Sequence, residues 1–321
     1  MPERYGQVVV DQTSGTTLVA DNPDARFRIA SVLKPMVAYD FAERFMAERG
    51  LTEFDPTAVP EPFRSQLSSM LRSSDDGAVD AFWDEAADYP EVDPASLWPN
   101  NGNIEVVSRV AERMELENTI PPPVDLRGFW GFALTTPADV AKMYRHLSHD
   151  ERGIGKFILT ELGQATRIAT DGVDQFFGLP AAMRVPADAG TLPDGMAIKQ
   201  GWSEVPDGRG RIEAQAQREG ADEQRREQLF DTVAHTTGLV PGSTPESQLI
   251  VAVLSSHPGV TVRPRGTSLH VATRRLNTRT RDVLKEAGIA PARRNAPVNG
   301  PAAGFGAVPG RTRWSLSLIH I

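Results

Sequence analysis

Ser31-Val32-Leu33-Lys34, Ser74-Asp75-Asp76 and Lys199-Gln200-Gly201 follow one another in that order along the chain, and reading the three together decides the fold. A lone Ser-x-x-Lys is commonplace in a sequence this long. Three such segments in order, each in a fitting structural context, carry far more information.

The run Phe27-Arg28-Ile29-Ala30 leads into Ser31, after which Val32, Leu33, Met36, Val37, Phe41 and Phe45 recur at helical spacing until Gly50 supplies a stop. Ser31 is therefore predicted at a helix N-terminus. Residues three apart share a helix face, so Lys34 stands one turn on with its amine able to reach the Ser31 hydroxyl. A serine hydroxyl is unreactive at neutral pH unless a neighbour takes its proton. An amine does so once burial or a second cation lowers its pKa. Lys199 could be that second cation. Pro35 falls in the first turn, where it removes at most one intrahelical bond. The plainer reading of Ser31 is an N-cap, a position serine favours.

Ser74-Asp75-Asp76 precedes Ala78, Val79, Ala81, Phe82 and Trp83, which predict a second buried helix. A hydroxyl at that junction could relay a proton to a leaving group, or the segment could simply cap the helix. Met196-Ala197-Ile198-Lys199-Gln200-Gly201-Trp202 reads as a short strand after the turn Leu192-Pro193-Asp194-Gly195. Gly201 would let another backbone come close, and an edge strand here could pair with an extended peptide while its amides face a reacting carbonyl. The alternatives are a solvated strand lysine and a simple bulge.

The ordered motifs resemble those of class A β-lactamases and penicillin-binding proteins, in which Ser-x-x-Lys, Ser-Asp-Asn and Lys-Thr-Gly line one cleft. The likeness runs roughly from Tyr5 to Gly288, with Tyr5–Asp11 and Thr16–Ala20 as the first hairpin and Gln248–Ser255 and Asn277–Ala287 as closing elements. It implies an α/β (α+β) fold in which an antiparallel sheet is flanked by helices and a helix-rich lobe. It also implies one domain over residues 1–288, with the sheet drawn from about 5–30 and 196–287 and the lobe from about 31–191.

By position, Ser31 would be the nucleophile, Lys34 its base and Ser74 the proton shuttle. Asp76, Lys199, Gln200, Gly201 and Trp202 would meet the substrate, with the N–H groups of Ser31 and Trp202 as oxyanion hole. The reaction implied is acyl transfer from a β-lactam, a D-alanyl peptide or a related amide or ester through an acyl-enzyme. No metal or cofactor is implied, and the partner is a small or peptidoglycan-like molecule. Three departures bear on this. Asp76 stands where the family has an asparagine that donates to the substrate, and Gln200 where it has a hydroxyl residue. The deacylating Glu-x-x-Leu-Asn has no match in register, because Met114-Glu115-Leu116-Glu117-Asn118-Thr119 places its acids at the solvated end of a helix over Ile104–Met114. The alternative implied is a catalytically degenerate envelope protein that keeps the fold for binding. A class C-like esterase would instead want Tyr-x-Asn at Ser74-Asp75-Asp76.

A chain of 321 residues with 40% hydrophobic content can bury a sizeable core. Its net charge of -8 and lack of a basic, aromatic-interleaved patch argue against nucleic acid or an anionic membrane surface as main partner. Zero cysteines exclude disulfides and thiolate ligands. No signal peptide or transmembrane segment is readable ahead of the first strand. Family members are exported, so the resemblance implies an extracytoplasmic protein whose start lacks its leader.

Thr136-Pro137-Ala138-Asp139 predicts a capped helix running to about Leu147. Before it, Pro121-Pro122-Pro123 and Phe129-Trp130-Gly131-Phe132 read as an aromatic loop that could border the cleft or pack the core. His146, His149 and Asp150 have a metal-like spacing, but histidine at a helix C-terminus complements the dipole, and that reading is preferred. Ser203–Arg226 is charge-dense, as of a solvated hairpin extension. From Ile289 on, Pro, Ala, Gly and Arg without acids predict a disordered tail. Its last residues, Ser315–Ile321, read as translated adapter sequence.

Overall fold

In a computed structural model, the structure describes residues 3–85, 105–122, 128–203, 231–244, 247–257 and 267–289. Five strands form one antiparallel sheet: β1 (Arg4–Asp11), β2 (Thr17–Asp21), β5 (Ala197–Ser203), β6 (Thr232–Pro241) and β7 (Gln248–His257), in the order β2-β1-β7-β6-β5. Both termini of the fold thus meet at its centre, where β1 pairs with β7 from Arg4↔Ser256 to Asp11↔Leu249. β5 lies at an edge, as its motif required.

The strands alternate cleanly. Val8, Val10, Ile250, Ala252 and Leu254 face one core, and Val9, Val240, Val251 and Val253 face the other. Because a strand turns successive side chains to opposite faces, all-apolar runs such as Leu249–Leu254 mark strands covered on both sides. On one face lie α1 (Lys34–Arg49), α5 (Pro137–His149) and α6 (Ile154–Gly163), and on the other α7 (Leu179–Ala182) and α8 (Thr267–Glu286). The remaining helices are α2 (Phe63–Arg72), α3 (Asp76–Glu85) and α4 (Glu105–Arg113), which pack around α1 and α6.

Local signals act as their chemistry dictates. Thr136 accepts a hydrogen bond from Asp139 N at the start of α5. Gly50 ends α1 in a left-handed conformation, its N–H bonded to the carbonyls of Met46 and Ala47. α8 begins earlier than Asn277, since basic surface residues hide its apolar stripe of Leu269, Ala272, Leu276, Val283 and Leu284.

One expectation is corrected. The sheet does not extend through residue 30: β3 (Phe27–Arg28) leaves it and pairs with β4 (Leu134–Thr135) as a separate two-stranded sheet. This pairing, continued by Ile29 N donating to Ala133 O at 2.8 Å, carries the chain from the sheet to the helical side. The charge-dense stretch beyond Ser203 and the tail beyond Ile289 lie outside the described residues, as does Pro123.

Candidate active site

Immediately before Ser31, Ala30 adopts φ +47°, a left-handed conformation disfavoured for any residue with a Cβ. Such strain costs on the order of 1–3 kcal/mol and persists only where the surroundings impose it. Here β3–β4 pairing holds one side and β5 the other. A Cβ on Gly201 would lie 3.0 Å from Val32 Cγ2 and 3.3 Å from Ile29 O, so the glycine creates the space in which the Ser31 turn sits. Ser31 itself lies in a 3₁₀ turn (Ala30–Leu33) that runs into α1. Its hydroxyl and its N–H have no hydrogen-bond partner among the described residues.

Lys34 is completely buried, yet its amine turns toward α3. Nζ donates to Ser74 O at 2.6 Å, Ser74 Oγ at 3.2 Å and Asp76 Oδ1 at 2.6 Å. All three ammonium hydrogens are thereby used, and none is directed at Ser31. The sequence placed Lys34 beside Ser31 by helical spacing; the carboxylate on α3 is the stronger partner and draws the flexible side chain across.

Ser74 occupies the centre. It too is left-handed, at φ +54°, and is buried. Its Oγ accepts from Lys34 and, at 2.8 Å, from Lys199 Nζ, which also reaches Gln200 O at 3.2 Å. A hydroxyl has two acceptor positions and one hydrogen. With both acceptors engaged, that hydrogen is available to a third group. α3 fixes this loop: Asp75 accepts from Ala78 N and Ser69 Oγ, and Val79, Phe82 and Trp83 are fully buried behind it.

Burial lowers the pKa of Lys34, opposed first by the Asp76 carboxylate. Lys199 is pushed well below the usual lysine range, by burial and then by the charge of Lys34. The difference follows from geometry, since Asp76 touches only Lys34.

The structure brings Ser31, Lys34, Ser74, Asp76, Lys199, Gly201 and Trp202 together. Gln200 is the exception. Its side-chain nitrogen donates to Gln175 O at 3.2 Å and Phe177 O at 2.5 Å, so the amide expected to greet a substrate carboxylate is spent on the backbone. Strand alternation explains this, because neighbouring residues of β5 point to opposite sides.

Three residues join the site that sequence reasoning did not assign to it. Trp130 lies with its ring centroid 5.0 Å from Lys34 Nζ and donates its indole N–H to Asp80 Oδ1 at 2.8 Å. Trp202 lies 5.9 Å from Lys199 Nζ and donates to Asp171 Oδ2 at 2.9 Å. Asp80, four residues after Asp76, shares its helix face, a readable signal. Trp130 sat in the aromatic loop noted above. Asp171 had only a turn signal in Asp171-Gly172.

Elsewhere, Glu115 and Glu117 lie exposed just past α4, where Lys142 contacts Glu115 O and the Glu117 carboxylate. His146 pairs with the Tyr39 hydroxyl at 2.8 Å and His149 with Arg145 O at 2.7 Å in the last turn of α5.

No family model matches the chain. Among curated proteins it is similar to the proposed lipoprotein LppW of Mycobacterium bovis and of Mycobacterium tuberculosis, 30% identical over 198 residues, which are 60% of this chain and 52% of the relative. The chain thus spans about half the length of the curated relatives it matches. Among solved structures it is similar to PBP-A, with TM-score 0.52, 14% identity and coverage of 88% of this chain and 91% of the other. It is also similar to the chromosome-encoded β-lactamase of Vibrio parahaemolyticus, at TM-score 0.53 and 11% identity over 88% and 93% of the two chains. The β-lactamase of Sphaerobacter thermophilus gives TM-score 0.53 and 16% identity over 90% and 92%. Strand order, the layered helices and these likenesses agree: the chain has the fold of the serine β-lactamase and penicillin-binding-protein superfamily.

Proposed function

We propose that the protein is a serine acyl-transfer hydrolase acting through an ester on Ser31. The observation that carries this reading is the convergence of Lys34 and Lys199 on one strained, buried hydroxyl, Ser74 Oγ, with Ser31, whose hydroxyl is unpartnered among the described residues, one turn before Lys34. Two lysine amines are seldom buried this close together for stability alone, because burial penalises the charge of each.

In the proposed reaction Ser31 Oγ adds to the carbonyl carbon of an amide or ester, and its proton passes to a neutral Lys34 amine. Ser74 hands a proton to the departing nitrogen or oxygen as the carbon–leaving-group bond breaks, and recovers one from Lys34. Water then attacks the Ser31 ester, releasing the acid and restoring the hydroxyl. Lys199 sets the polarity of Ser74. With no glutamate in the deacylation register, the ester is expected to be long-lived. A location in the cell envelope accords with the likeness to a proposed lipoprotein.

A second reading, an envelope binding protein without catalysis, is favoured by one observation: the Lys34 amine is tied to Asp76 at 2.6 Å rather than to Ser31. Intact-mass spectrometry after incubation with 4-nitrophenyl hexanoate and with a penicillin separates the two. An adduct on wild type that is absent from Ser31→Ala, and at least roughly 100-fold slower in Lys34→Ala, supports the enzyme. No adduct from either reagent would leave the binding protein.

A further inference from the structure

One face of α3 reaches the Lys34 amine twice. Asp76 accepts from Nζ directly, at 2.6 Å. Asp80, one turn on, accepts the Trp130 indole N–H at 2.8 Å, and the centroid of that indole lies 5.0 Å from the same Nζ. Residues four apart share a helix face, so a carboxylate and an anchored aromatic ring bear on one buried ammonium from neighbouring turns.

The ring is held from its other side as well. Trp130 opens the 3₁₀ turn Trp130–Phe132, which closes when Ala133 N donates to Trp130 O at 3.2 Å. Ala133 O accepts from Ile29 N at 2.8 Å, and a Cβ on Gly131 would lie 3.6 Å from Ala30 Cα, so this turn touches the backbone that carries Ser31. Phe132, at the end of the turn, has its ring centroid 4.9 Å from the Arg28 guanidinium. A single turn thus offers rings to both buried cations that flank Ser31 in the sequence, Arg28 and Lys34. Core packing does not account for Trp130. Trp83 on α3 is fully buried, whereas Trp130 is half-buried and sends its N–H to an exposed residue.

The face of an indole attracts an ammonium and gains nothing comparable from a neutral amine, and the attraction is strongest where water is kept out. We propose that Trp130 is a positioning residue for Lys34: its ring, anchored by Asp80, favours the ammonium, keeps it turned to Ser74 and Asp76, and so governs when Lys34 can take the Ser31 proton. The inference deepens the acyl-transfer reading above and, as a statement about catalysis, rests on it. The charged groups acting on Lys34 are Asp75 and Asp76 of α3, Asp171 from the loop before α7 and Lys199 of β5. Trp130 adds no charge to that set, so its pull can be weakened with every ionisable group left in place.

Fluorination does this, because it withdraws π density while the ring's shape and N–H remain. Trp130 is replaced through nonsense suppression by 5-fluorotryptophan and by 4,5,6,7-tetrafluorotryptophan. Lysine ¹³Cε shifts report the protonation of each amine; the chain has Lys34, Lys142, Lys156, Lys199 and Lys285, and loss of one signal in Lys34→Met identifies that of Lys34. The Lys34 midpoint should fall in step with fluorine number, by roughly half to one pH unit in the tetrafluoro protein. The pH–rate profile of acylation by 4-nitrophenyl hexanoate should move with it, making the reaction about three- to tenfold faster on the acid side of the midpoint. A merely structural role would change rates without moving either midpoint.

A Lys34 midpoint unmoved by fluorination overturns the inference whatever the rates do. A midpoint that falls beside a stationary rate profile removes Trp130 from catalysis and overturns it equally. A midpoint that falls while no ester acylates any of the proteins upholds the hold of Trp130 on Lys34 and sinks the hydrolase reading instead.

Discussion

Replacing Asp76 by asparagine should accelerate acylation, although it removes an ion pair. Lys34 can take a proton from Ser31 only as the free amine. Burial favours that form, and Asp76 opposes it through a 2.6 Å contact. The carboxylate's side chain is 50% exposed, so water screens the pair strongly despite the complete burial of its partner. A charge-assisted contact so placed is worth about 1–2 kcal/mol, and 1.4 kcal/mol is about tenfold in the population of neutral amine. Asparagine can still accept from Lys34, so the geometry survives while the charge goes. The expected result with 4-nitrophenyl hexanoate is a roughly tenfold faster reaction near neutral pH in Asp76→Asn. The rate should rise with pH in both proteins, the variant's rise coming earlier. At alkaline pH the two should converge, because Lys34 is then neutral in each. Equal rates across the whole range, or a slower variant, would refute the claim that Asp76 restrains the base. That outcome would instead assign this carboxylate to the substrate.

Two further outcomes follow from the structure. His235 is buried, and burial pushes its pKa down to about 4 against the opposing hydrogen bond from Nε2 to Arg28 O at 2.6 Å, while Nδ1 accepts from Ser255 N at 3.2 Å. Since the unfolded histidine titrates near its ordinary 6.5, the unfolded state binds more protons between pH 6.5 and 4, and stability must fall as pH falls through that window. His235 alone accounts for up to about 3 kcal/mol; urea midpoints of wild type and His235→Gln at pH 7 and 4 check this, and equal pH dependence would refute it. Gly201→Ala should slow acylation far more than it destabilises the fold, by about 10²-fold, because its Cβ would push on Val32 Cγ2 at 3.0 Å and displace the Ser31 turn; unchanged acylation kinetics in a folded variant would show that the glycine does not set the position of Ser31.

The parts of the fold legible in the sequence were those governed by neighbours along the chain. Periodicity located α1, α3 and β5. Thr136 and Gly50 gave their caps, and the order of the three motifs gave the layering that the five-stranded sheet displays. What could not be read depends on partners distant in sequence. Phe27–Arg28 looks like any short strand, and only its pairing with Leu134–Thr135 takes it out of the main sheet. Strand alternation could have warned that Gln200 would turn away from Lys199, but not that two carbonyls would take its amide.

Lys34 shows the limit most clearly. Helical spacing correctly puts its Cα one turn from Ser31, yet four side-chain torsions leave the amine free to choose, and the choice is made by Ser74 and Asp76 on α3. An asparagine at that place would offer the same contact without the charge. Under the proposed reaction, the single difference between Asp76 and an asparagine therefore sets how readily Lys34 would become a base.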